Sequence, residues 1–206
     1  MLTALAETDA VKVESARRGR RARLETAYGH AIMYSKGFSA EEAHAAFTRA
    51  SELASGTESA ADQITPYHAQ WVQSFARAEL HQARVTAGAL LQRAEERGSA
   101  TDAGIARRSL GATFLVQGDL VDARAELERT LTDYAPERDA QTWSRVGSDT
   151  GVFATAYLAV AVWGLGEGKR ARQLSEQAIR GADELGHAPT SANAYASLAR
   201  ISHPID

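Results

Sequence analysis

Three glycines on alternate positions and then a lysine, in the stretch VWGLGEGKRAR (162–172), have the residue types of a loop that wraps backbone N–H groups around a phosphate. The spacing does not fit that chemistry. A Walker-type loop needs a glycine five residues before Gly168, where Trp163 stands, and Ser or Thr after Lys169, where Arg170 stands. The dinucleotide fingerprint would put its third glycine on Lys169, and no strand-like run precedes it. We read the stretch as a turn between two helices.

Other chemistries are equally poorly served. The absence of cysteine removes disulfides, thiolate metal sites and cysteine nucleophiles together. The histidines at 30, 44, 68, 81, 187 and 203 form no HxxxH or HExxH pair, so no metal is expected. Ser, His and Asp are present without a G-x-S-x-G elbow. The carboxylate pairs Glu41-Glu42 and Glu95-Glu96 fall near predicted hairpin ends, where solvated acids are ordinary. No catalytic residue, no cofactor and no enzyme activity is expected of this chain.

A basic run, KVESARRGRRAR (12–23), carries Lys12, Arg17, Arg18, Arg20, Arg21 and Arg23. It could meet phosphates or an acidic surface. It has no aromatic interleaving for stacking on bases, so we read it as a solvated face or an inter-domain contact, and nucleic acid is not an expected partner. The net charge of −3 gives no overall pull toward polyanions.

The elements that would position any site are helices. Alanine is abundant, prolines occur only at 66, 136, 189 and 204, and β-branched runs are absent. The N-terminus MLTALAETDA has no basic region or apolar core of a signal peptide, and no apolar run approaches a membrane span. An all-α protein of the cytoplasm is the expectation, with no membrane partner.

A repeat organises the helices. Ala43, Ala83, Ala123 and Ala171 occupy one slot, at spacings of 40, 40 and 48 residues. The best-formed copy reads SLGATFLVQGDLVDA (109–123): Leu110, Gly111 and Phe114 share a helical face, Gly118 breaks the helix, and Ala123 lies early in the next. The fourth copy echoes it with Leu158, Ala159, Val162, Gly166 and Ala171, the first with Tyr28, Gly29, Ile32, Gly37 and Ala43. The second is degenerate, with Trp71 in the small-residue slot and Ala78 in place of the turn glycine. Small residues at Gly111 and Ala123 let two antiparallel helices approach closely, and the turn glycine supplies a conformation costly to other residues. Gly98 and Gly186 suit C-terminal caps, and Thr101 or Asp102 suits the following N-cap.

The pattern L-G-x-x-F-x-x-x-G-x-x-x-x-A at Leu110–Ala123 resembles a tetratricopeptide (TPR) unit. The resemblance covers about residues 22–202 and implies a single repeat domain over 1–206. Its units are expected at about 22–56, 63–98, 101–133 and 152–186, with partial units at 1–19 and 189–202 and an insertion at 134–151. The long period and the residues Tyr134, Pro136, Asp149, Gly151 and Val152 are similar to the TPR region of large bacterial ATPase-containing signalling proteins, either adenylate/guanylate cyclase-like or LuxR-type regulators. Residues 1–18 read as the second helix of a preceding unit and 189–202 as the first helix of a following one. Any ATPase or cyclase activity would belong to another portion.

What the resemblance implies is a right-handed superhelical solenoid of about four hairpins with an extra helix at each end. Its first helices would line a concave groove. Carried over unit by unit, the groove positions are His30, Met33 and Tyr34; His68 and Phe75; Arg108, Leu115 and Val116; Phe153 and Trp163. Repeat packing falls to Gly29, Ala43, Ala83, Leu110, Gly111, Phe114, Ala123, Leu158 and Ala171. So apolar a groove suits an amphipathic protein segment, or a neighbouring domain of the same full-length protein, in an interaction and regulatory scaffold. The alternatives are self-packing of these residues, a spacer that homodimerises through its terminal helices, and a small-molecule sensor pocket. The insertion reads as an extended connection pinned by Tyr134 and Trp143, or as a lid on the groove.

Overall fold

The computed structural model describes residues 2–37, 40–54, 60–139 and 143–202; of the side chains within them, those of 2–12, 34, 60–63, 144 and 202 lie outside the description. The described residues form helices and turns, with no strand among them. The chain divides into two compact units, Met1–Glu79 and Leu80–Asp206, where the repeat led us to expect one. The division falls at the turn of the degenerate hairpin, beside Ala78.

The first unit holds α1 (Leu2–Lys36), α2 (Glu41–Ala54) and α3 (Ala60–Ala76). The separate partial unit expected at 1–19 is not formed: α1 runs unbroken through the junction. Gly19 weakens a helix by only about 1 kcal/mol, and the arginines and alanine around it are good helix formers. At the far end Gly37, at φ 103°, turns the chain. α2 returns antiparallel to α1, with Phe47 against the backbone of Gly29 and Lys36 paired to Glu42 at 2.7 Å. Met33, Ala43, Phe47 and, from α3, Ala69 form the core.

The second unit holds α4 (Leu80–Glu96), α5 (Ala100–Gln117), α6 (Leu120–Asp133), the short α7 (Pro136–Asp139) and α8 (Trp143–Val146), α9 (Thr150–Gly164), α10 (Gly168–Leu185) and α11 (Ala188–Ser202). Every repeat turn bends through the left-handed region: Gly37, Gly118 and Gly166 at φ 103°, 89° and 86°, and Ala78 at 58°. Ala78 therefore takes up a conformation that costs a residue with a Cβ about 1–2 kcal/mol. Gly98 and Gly186 end α4 and α10 in the same way, at 64° and 61°.

The slot alanines Ala43, Ala83, Ala123 and Ala171 are all fully buried. A Cβ on Gly111 would come within 2.6 Å of Leu127 Cγ and 3.3 Å of the Ala123 carbonyl oxygen, so α5 and α6 touch nearly backbone to backbone. Leu110 and Leu158 are buried, and Phe114 lies under the Arg84 guanidinium, 4.8 Å from its ring centre. Between α9, α10 and α11 the core is mainly alanine: Ala156, Ala178, Ala182 and Ala194, with Val152 and Ile179 beside them.

Ion pairs lace one hairpin to the next. Arg107 of α5 reaches Glu95 of α4 at 2.7 Å and Asp133 of α6 at 3.2 Å. Arg124 and Glu128 of α6 close a four-membered ring with Glu167 of the α9–α10 turn and Arg170 in the first turn of α10, at 2.6 to 3.2 Å. Two arginines against two carboxylates gain more from one another than an isolated surface pair does. The three glycines of VWGLGEGKRAR serve packing and turning. Gly164 lies against Leu120, Gly166 makes the turn, and Gly168 starts α10. None of the described helices is long and apolar enough to cross a membrane.

Candidate interaction surface

The segment between α6 and α9, the expected insertion, is tied down at both ends by buried carboxylates. Asp139 accepts the Thr101 hydroxyl at 2.5 Å, the Ala135 N–H at 3.0 Å and the Arg138 guanidinium at 2.7 Å. Burial alone would raise its pKa, but these hydrogen bonds hold it below the usual carboxylate value. Thr101 is thereby used on Asp139, and Ser99 caps α5 instead, its Oγ accepting the Asp102 N–H at 3.3 Å. Neither Thr101 nor Asp102 holds the capping place expected of it, because the helix starts two to three residues earlier than the sequence suggested, with Ser99 as its cap.

Asp149 closes the other end. Its Oδ1 accepts the Val152 N–H at 2.8 Å and so caps α9, its Oδ2 accepts the Tyr134 hydroxyl at 3.0 Å, and its own N–H donates to Thr190 of α11 at 3.2 Å. The Tyr134 ring fills the space over Gly151, where a Cβ would meet it at 2.8 Å. Between these anchors Arg145 pairs with Asp102 at 3.2 Å, and the half-exposed Trp143 leans on His187 with ring centres 4.8 Å apart. The described parts of the segment, 134–139 and 143–149, thus lie as a strap across the starts of α5, α9 and α11.

That strap uses one of the expected groove residues. Arg108 is 1% exposed and donates through Nη1 to the Ser148 hydroxyl at 2.9 Å and the Ser148 carbonyl at 3.3 Å. Its guanidinium lies 4.7 Å over Phe153, which stacks on Tyr157 at 4.2 Å and 7°, and Arg200 of α11 lies over Tyr157 at 5.9 Å. Arg108 and Phe153, expected to face a guest, face this chain's own strap and helices. Burial lowers the Arg108 pKa to about 10, opposed by the Asp149 charge, so the group stays cationic at neutral pH. Tyr157 was not among the expected residues, although its position four after Phe153 on one helix puts the two rings on one face.

The remaining positions divide by unit. In the first, Met33 belongs to the core and His68 is buried against Trp71, which stacks on the half-buried Phe75 at 5.0 Å. His30 packs edge-on to Phe47, and burial lowers its pKa. The side chain of Tyr34 lies outside the described residues. In the second, the contacts of Gly104 with Thr150 and of Arg108 with Phe153 show that α5 and α9 run the same way in fixed register. That register carries Leu115 and Val116 to the level of Val160 and Trp163. There Val116 is 52% exposed, and Leu115, Val160 and Trp163 are partly so. The strap covers one end of this helical face and leaves the other open.

The Tyr134 hydroxyl makes the strap sensitive to alkali. Burial first, and then the Asp149 charge, raise its pKa above the usual 10. An unfolded chain releases that proton first, so the stability carried by the neutral hydroxyl is complete below pH 10 and is lost as pH rises. Arg108 works in the opposite direction in the same range, since its folded pKa is lowered. The comparison of variants isolates the tyrosine: Tyr134→Phe should be less stable than wild type at pH 7 by about 1 kcal/mol, and the gap should narrow above pH 10. Urea unfolding at a series of pH values measures it; a gap constant with pH would remove the tyrosine from the alkaline response.

Among the described residues no group of three or more His, Asp or Glu side chains is placed to hold a metal ion. No protein-family model matches the chain, and no curated protein matches it either.

Proposed function

We propose that this chain is a tetratricopeptide-type interaction module whose working surface is the open end of the α5–α9 face. In this reading the hairpins of the second unit stack in the right-handed manner of such repeats, with α5, α9 and α11 as first helices. The observation that supports it is a run of apolar side chains, the exposed Val116 and the partly exposed Leu115, Val160 and Trp163, on two helices whose other end is covered by the strap. An amphipathic helix of a partner protein, or of a neighbouring domain in a larger bacterial cytoplasmic signalling protein, would bury that run. The mechanism is shape and desolvation, with no chemistry performed on the partner.

Trp163 should be the anchor, since a desolvated tryptophan commonly contributes about 2 kcal/mol or more to an interface. Amphipathic helical peptides selected from a display library against the intact chain should therefore bind Trp163→Ala at least roughly tenfold more weakly, while the variant keeps its helical circular dichroism. Val85→Ala, at an exposed valine of α4, should leave binding unchanged. Peptides that bind all three proteins alike would send the search to another face.

A further inference from the structure

The basic stretch of α1 takes no part in the apolar surface and lines a cleft of its own. Arg18, Arg21 and Glu25, three and four residues apart on one face of α1, look across an open cleft of about 320 Å³ at Arg49, Glu52 and Leu53 of α2. Arg49 is anchored there, donating from Nε and Nη2 to Glu25 Oε2 at 3.1 and 2.8 Å. That pair neutralises Glu25 and fixes one wall. Arg18 and Arg21 are exposed and have no ion pair among the described residues.

Three guanidiniums against two carboxylates leave the cleft positive, and Arg17, Arg20 and Arg23 on the same helix strengthen the field. A guanidinium offers its donors in a rigid fork that matches phosphate oxygens, so two of them on adjacent turns suit one phosphate group. The volume is that of a small-molecule site, walled by Leu53 and the aliphatic stems of the arginines and glutamates, with the guanidiniums as its charged groups. A nucleic-acid strand would need aromatic faces for its bases, and the lining contains no ring.

We propose that this cleft binds a small phosphate-bearing molecule, its phosphate held by Arg18 and Arg21. The assignment stands independently of the apolar surface in the second unit. Calorimetric titration of the intact chain with pyrophosphate and with ADP at low ionic strength tests it. Two double variants remove the same charge, Arg18→Gln/Arg21→Gln inside the cleft and Arg17→Gln/Arg20→Gln outside it. Wild type should bind at least one ligand, the inside pair should weaken binding by about tenfold or more through the loss of two charge-assisted contacts, and the outside pair should weaken it clearly less, through the field alone. Tighter binding of ADP than of pyrophosphate would assign contacts beyond the phosphate to the cleft, and equal binding would assign the phosphate alone. Absence of binding to either ligand, or equal weakening by both pairs, would overturn the proposal.

Discussion

Asp149→Ala should lower stability by about 4 kcal/mol, the sum of a lost helix cap, a half-buried hydroxyl without its acceptor and a buried cation without the carboxylate that faces it. In wild type the carboxylate caps α9 through the Val152 N–H, accepts the Tyr134 hydroxyl and stands against the Arg108 charge. For a chain of this length the change corresponds to a melting point lower by roughly 10 °C. Asp149→Asn separates charge from geometry. It keeps an oxygen for the cap and loses the anion, so it should cost about half as much. Because the strap is fastened at the same residue, trypsin should cut Asp149→Ala after Arg145 faster than it cuts wild type. Melting curves within about 1 kcal/mol of wild type for the alanine variant would mean that Arg108 finds its compensation elsewhere.

Gly111→Val should be the most disruptive change within a hairpin. Its Cβ would arrive 2.6 Å from Leu127 Cγ and close to the Ala123 carbonyl oxygen, which belongs to backbone and cannot rotate away. Overpacking of this kind costs about 1–3 kcal/mol, and a β-branched residue in a closed helix contact belongs at the top of that range. Gly88 of α4 is the counter-example, for a Cβ there meets nothing within 4 Å. Gly88→Ala should stabilise the protein by about 0.5–1 kcal/mol through helix propensity alone. Denaturant melts of the two variants should move in opposite directions. Equal shifts would show that α5 and α6 are not in the close contact described here.

These two sites differ in how readily the sequence announces them. The Gly111–Ala123 contact is local: the glycine, the turn at Gly118 and the alanine lie within one hairpin, and their spacing predicts the approach directly. The turn positions were legible for the same reason, even at Ala78, which stands in a glycine slot and adopts a glycine's backbone. The all-helical class followed from composition. The apolar character of Leu115, Val116 and Trp163 was visible, but their exposure depends on what else covers the face.

The contacts of the strap were out of reach because they join residues about 40 positions apart with no repeating spacing. Nothing in the pattern states that Arg108 finds Ser148, that Thr101 serves Asp139 rather than the helix end, or that Thr190 meets the Asp149 N–H. A cation predicted on an apolar helical face was the available signal, since a buried charge must find polar partners. The continuity of α1 was missed for another reason. The repeat pattern placed a unit boundary after residue 19, whereas the single glycine there, among strong helix formers, costs too little to end a helix without a turn to follow. The division at Glu79 falls where the repeat pattern is weakest, at Trp71 and Ala78.

The most direct test of the proposed interaction surface is the affinity of one selected helical peptide for wild type and for Trp163→Ala, measured by calorimetry at matched helicity. The expected result is at least a roughly tenfold loss of affinity in the variant, as removal of a tryptophan anchor entails, with Val85→Ala unchanged. Equal affinity for wild type and Trp163→Ala would contradict the assignment of the open α5–α9 face as the binding surface.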